Sequence, residues 1–193
     1  MIVLIAGLVL FVGLHSSRFV APNWREQQIA KHGLKRFKLW YSVVSLIGFV
    51  LLIYGYGLSR RDPIFLYQPQ PWAYHLAIPL TWIALVLVGA SHGPPNYFRS
   101  RLGHPMYAGV KVWAFAHLLA NGRLGDVVLF GTLLVWAIAG FTIRRKQDRA
   151  AGLVPEPSTT RGTVGALIGG TVFWAVFAFW LHPLLIGVDP IPF

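Results

Sequence analysis

Six apolar runs divide this sequence, at residues 2–20, 39–58, 72–91, 105–120, 127–143 and 163–185. Backbone polar groups find no water in hydrocarbon, so a run of about 20 apolar residues crosses a bilayer as a helix. Most of the runs approach that length, and the fourth is the shortest. With 55% apolar residues there is far more apolar surface than one soluble core of this size uses. The expected fold is therefore all-α: a polytopic integral membrane bundle of about six transmembrane helices, forming a single domain over residues 1–193. Trp40, Tyr41, Tyr54, Tyr56, Trp72, Tyr74 and Trp180 gather near the run ends, as headgroup-level aromatics do.

Charge gives the orientation. The formal net charge is +11, yet the bases cluster in short connections between apolar runs, which fits topology and anionic headgroups and excludes nucleic acid as a partner. Thirteen of the 17 Lys and Arg lie in or beside the first, third and fifth connections, and three in the second and fourth. The odd connections are then cytoplasmic and both termini lie on the outer, periplasmic side. The first run begins at Met1 without a basic leader and is followed by bases, so it reads as an uncleaved first helix. Residues 22–38 carry Trp24, Ile29, Leu34 and Phe37 among bases, as either a surface-lying basic helix or an ordinary connection. Residues 144–161, with Pro155-Glu156-Pro157-Ser158, read as a flexible connector.

There is no cysteine, which excludes disulfides, iron–sulfur clusters, thiolate-ligated haem and a thiol nucleophile. The chemistry-bearing side chains concentrate in the fourth run. From His104 to His117 it holds two histidines, Trp113 and Lys111, groups that are costly in lipid and usually functional there. His15 entering from outside and His117 entering from the cytoplasm differ in depth by roughly 10 Å, at ~1.5 Å per helical residue. That spacing suits two imidazoles on opposite faces of one tilted macrocycle better than a compact single ion. A buried hydrogen-bonded role is the alternative for both. His92 and His104 fall near the cytoplasmic boundary, His75 and His182 near the outer one, and His32 in a polar stretch. Lys111 has no acid in its own run. It either snorkels to the interface or meets an anion brought by a ligand, with His104, seven residues earlier, on nearly the same face.

These residues carry a resemblance. The stretch from Gly7 to His15-Ser16, the run Tyr41-Ser42-Val43-Val44-Ser45-Leu46, Gly55-Tyr56-Gly57, the block from His104 to Gly122 and Leu129-Phe130-Gly131 together resemble the NnrU family of bacterial membrane proteins. The resemblance implies a multi-pass protein of the bacterial cytoplasmic (inner) membrane, associated with nitrite and nitric oxide reduction. The same framework is similar to the 15-cis-zeta-carotene isomerases, which are membrane haem b proteins. Their proposed haem ligands correspond to His15 and His117, and their ligand-switching cysteine falls at Ala114. That similarity implies haem b as cofactor, His15 and His117 as metal ligands, and His104 and Lys111 as candidates for the cofactor's carboxylates. The implied partners are membrane lipids together with a lipophilic small molecule or nitric oxide. Two roles stay open: redox or isomerisation chemistry on a lipophilic substrate, and a non-catalytic haem or nitric oxide-responsive accessory role. The His104-Pro105-x-Tyr107-x-Gly109 element is also similar to membrane methyltransferases that use S-adenosylmethionine, but Arg144-Arg145-Lys146-Gln147-Asp148-Arg149 lacks their paired glutamates.

Overall fold

The structure, a computed structural model, describes residues 1–191. Helix α1 is Ile2–Val20 and α2 is Pro22–His32, with Pro22 in the first turn, where its missing N–H costs nothing. Gly33 separates α2 from α3, Leu34–Ser59, at φ +81°, a backbone region unfavourable to residues with a Cβ. Helix α4 is Pro71–Ala90, running through Pro79, and α5 is the short Tyr97–Leu102. Then follow α6, Pro105–Ala120, α7, Leu124–Ala150, and α8, Thr160–Val176. A π-helical turn, Phe177–Leu181, joins α8 to α9, His182–Ile186.

Five helical stretches are long and apolar enough to cross a membrane: α1, α3, α4, α7 and the run Thr160–Ile186. Helix α6 has 16 residues, about 24 Å at 1.5 Å per residue, and packs in the same layer as the longer helices. The packing order is α3, α1, α7, α6, α4, α8, with the two end helices not touching each other. Neighbours in this row alternate in direction except α1 and α7. Leu4 and Leu8 pack with Leu129 and Phe130, while Gln147 reaches the Phe19 carbonyl, so those two helices run parallel. Helices α1 and α3 approach closely through glycine: a Cβ at Gly55 would strike the Leu4 backbone, and one at Gly7 the Leu52 backbone.

Two boundaries differ from expectation. Residues 144–150, assigned by sequence to a flexible connector, continue α7. Hydropathy marks where lipid ends, whereas Arg144, Arg145, Lys146, Gln147, Arg149 and Ala150 are good helix formers that extend the helix beyond it. Residues 22–32 form a helix with no buried side chain, while Leu34 to Lys38 belong to α3.

Candidate functional site

The buried stripe of α1 is Leu4, Leu8, Phe11, His15 and Phe19, spaced by three or four residues and therefore on one face. His15 is half-buried in that stripe. Its Nδ1–H donates to the Phe11 carbonyl at 2.7 Å, since a carbonyl only accepts. In the neutral ring the lone pair is then on Nε2, which has no hydrogen-bond partner among the described residues. The rings around it are Phe11 at 4.3 Å, Tyr41 of α3 at 5.5 Å and Trp136 of α7 at 6.4 Å.

His117 repeats the construction on α6. Its Nδ1–H donates to the Trp113 carbonyl at 2.8 Å, again four residues back, and leaves Nε2 free of protein hydrogen bonds among the described residues. Trp113 lies against the ring at 4.5 Å and Phe130 at 4.6 Å. Each imidazole is thus held by an aromatic residue four positions earlier, whose ring supports it and whose carbonyl sets its tautomer. Backbone carbonyls perform this orienting role for many metal-bound histidines. Helix α7 measures the offset between the two. His15 borders Trp136 and His117 borders Phe130, six residues apart and therefore roughly 9 Å along the axis.

The other two candidates stand elsewhere. His104 Nε2 is 2.7 Å from Asp148 Oδ2, and Arg144 is 3.9 Å from Oδ1 of the same carboxylate. Lys111 Nζ lies 4.8 Å from the Phe141 ring centroid. Both do share a face of α6, and that face meets α7: the partners Asp148 and Phe141 are likewise seven residues apart. His104 also meets the Tyr107 ring at 6.2 Å, and Tyr107 in turn lies 5.1 Å from Trp136, the neighbour of His15.

Three residues that sequence reading did not single out shape the surroundings. Trp136 carries the only buried side-chain N or O without a hydrogen-bond partner among the described residues, its indole Nε1. Its ring lies between His15, Tyr107 and Phe19, where nothing in the local sequence pattern marks it. Phe141 is the ring on which Lys111 rests. Asp126, 2% exposed, accepts from the Tyr56 hydroxyl at 2.7 Å and from the Arg123 amide at 3.1 Å. An acid in the first turn of a helix is the signal that would have found it. Asp126 belongs to a closed end over His117. Leu66 N donates to the Gly122 carbonyl at 2.8 Å, Leu124 N to that of Ile64 at 2.7 Å, and Tyr67 Oη to the carbonyls of Leu118 and Asn121. Burial, reinforced by the Asp126 carboxylate, raises the Tyr67 phenol above its ordinary value.

Two apolar grooves flank His15. One, about 480 Å³ between α1 and α7, is lined by Val12, Ser16, Phe19 and Trp136; the other, about 370 Å³ between α1 and α3, by Phe11, Tyr41 and Phe49. Among the described residues, no three His, Asp or Glu side chains converge on a metal-sized space. The donor set that is present consists of two tautomer-locked imidazoles on different helices, aromatic walls, and one buried N–H without an acceptor. Each of the two imidazoles presents an Nε2 free of protein hydrogen bonds, the kind of nitrogen that ligates a metal.

Comparison with curated proteins and with solved structures finds no match. A family model described as NnrU protein matches residues 3–190, nearly the whole chain, and the chain therefore belongs to the NnrU family.

Proposed function

We propose that this NnrU protein is a six-crossing haem b protein of the bacterial inner membrane, with both termini outside and with His15 and His117 as the residues that would hold the haem. The observation that carries the reading is the matched pair of imidazoles, each with Nδ1–H on a carbonyl four residues back. Haem b bound there supplies one-electron redox chemistry. The chain's own contribution is to hold both rings as neutral imidazoles and to surround them with aromatic side chains that exclude water. Trp136 Nε1–H offers a donor to an acceptor on the His15 side.

The open grooves beside His15 support action on a lipophilic substrate that arrives laterally from the bilayer. A second role, as a redox or nitric oxide-responsive accessory of nitrogen-oxide reduction, is favoured by Ala114. That residue is fully buried in the core and offers no alternative ligand that could exchange with an imidazole. The test is an absorption spectrum of protein purified in mild detergent from haem-replete cells. A low-spin b-type spectrum is expected, and a colourless folded protein would overturn the reading. Turnover of a cis polyene selects the substrate role. A spectrum indifferent to polyenes and responsive to nitric oxide selects the accessory role.

A further inference from the structure

Two cations share one aromatic ring at the basic end of the bundle. Lys111 Nζ of α6 is 4.8 Å from the Phe141 centroid, and Arg145 Cζ of α7 is 5.5 Å from the same centroid. The two charges are therefore no more than about 10 Å apart. Among the described residues neither has a carboxylate partner. Among the described residues the ion pairs are those of Asp148, whose oxygens face His104 and Arg144. An aromatic face attracts a cation but neutralises none of its charge, so the pair is left with an unmet demand for an anion.

The surroundings identify the kind of anion. Phe141 and Arg145 are four residues apart on one face of α7, and Ile138, 47% exposed, continues that face one turn deeper. On α6, Phe115, four residues after Lys111 on the same face, is 46% exposed. Because α6 and α7 run antiparallel, Phe115 lies level with that deeper turn, so an exposed apolar strip continues inward from the paired cations. This is the complement of an amphiphile: an oxyanion at one end and hydrocarbon at the other. Arginine matches a phosphate with a fork of N–H donors, and lysine adds a point charge. Phe141 also lies about 140° around α7 from Trp136, at ~100° per residue, so this site is on a different flank from His15.

We propose that Lys111, Phe141 and Arg145 bind the phosphate of an anionic phospholipid whose acyl chains run over Ile138 and Phe115. The site stands independently of haem binding.

The test uses the full chain in nanodiscs of mixed phosphatidylglycerol and phosphatidylcholine, with lipid retained after transfer to detergent read by native mass spectrometry. Wild type should retain phosphatidylglycerol selectively. The Lys111→Met/Arg145→Met protein should lose that selectivity by about thirtyfold, as expected for two basic contacts at a membrane surface. Lys111→Arg, which keeps the charge, should retain it, as should Arg149→Met, which removes a base outside the trio. Equal retention in wild type and the double variant would overturn the proposal. Two further outcomes would do so as well: displacement of the lipid by millimolar inorganic phosphate, which would identify a free-anion site, and loss of haem in step with the lipid, which would assign the cations to a cofactor carboxylate.

Discussion

Around His15 the bundle is open. Phe11, Tyr41 and Trp136, the rings that border it, also line two apolar grooves, and the Trp136 indole N–H is buried without an acceptor. Around His117 the same local construction adjoins a hydrogen-bonded end of the bundle, where residues 64–67 are hydrogen-bonded to residues 118–124 and each Asp126 oxygen accepts one bond, from Tyr56 or from Arg123. Apolar grooves thus adjoin one imidazole, whereas a hydrogen-bonded segment adjoins the other, and both rings are only partly buried. The tautomer is set locally by an i−4 carbonyl, whereas access is set by which helices stand alongside.

The largest expected effect comes from deleting the rings. His15→Ala and His117→Ala should each abolish a low-spin haem spectrum or convert it to high spin. Added imidazole should restore the spectrum of His15→Ala, through the open grooves, and fail to restore that of His117→Ala. Equal rescue of both would break the contrast between the groove-lined and the hydrogen-bonded surroundings. His32→Ala, in the exposed α2, should change neither spectrum nor rescue.

Next in size is Asp126→Asn. One acceptor oxygen survives, but the other becomes an N–H₂ facing a donor, so a buried hydrogen bond is lost at a cost of about 1–3 kcal/mol. A lower Tm is expected with the axial ligands unchanged. A shift in spin state with unaltered Tm would mean that Asp126 acts on the cofactor rather than on the closed end.

Trp136→Phe has a smaller effect with opposite signs in two states. Without haem it removes an unsatisfied donor and should leave stability equal or slightly higher, whereas haem retention should fall if a cofactor acceptor meets that N–H. Parallel haem-release and thermal-melt measurements check both signs.

The smallest effect concerns Tyr67. Its phenol donates only when neutral, and its value is raised, so its contribution is complete below the ordinary tyrosine range near 10 and is lost as pH rises through the raised value. A tyrosinate absorbance titration of wild type minus Tyr67→Phe should show one phenol ionising late. An ordinary titration would show that the closed end does not shield it.

Much of the fold could be read from hydropathy because lipid demands helices, and the apolar runs 2–20 and 105–120 coincide with α1 and α6. What hydropathy missed follows from its nature as a measure of lipid contact. Helix α7 outlasts its apolar run to Ala150, which carries Asp148 onto a helix facing His104, so an acid assigned to a flexible connector became that histidine's partner. The separation of His15 and His117 along the bundle could be estimated by counting 1.5 Å per residue, and the offset of roughly 9 Å along α7 is close to the roughly 10 Å so counted. Partners across helices were not legible, because Phe141 under Lys111 and Trp136 beside His15 follow from the order in which helices pack, which no local pattern encodes.

Electron paramagnetic resonance of the oxidised, purified protein distinguishes haem iron held by two imidazoles from haem iron held by one. Wild type should give a low-spin bis-imidazole signal that disappears in both His15→Ala and His117→Ala and persists in His104→Ala. A high-spin signal in wild type, or a low-spin signal that survives removal of either deep histidine, would contradict it.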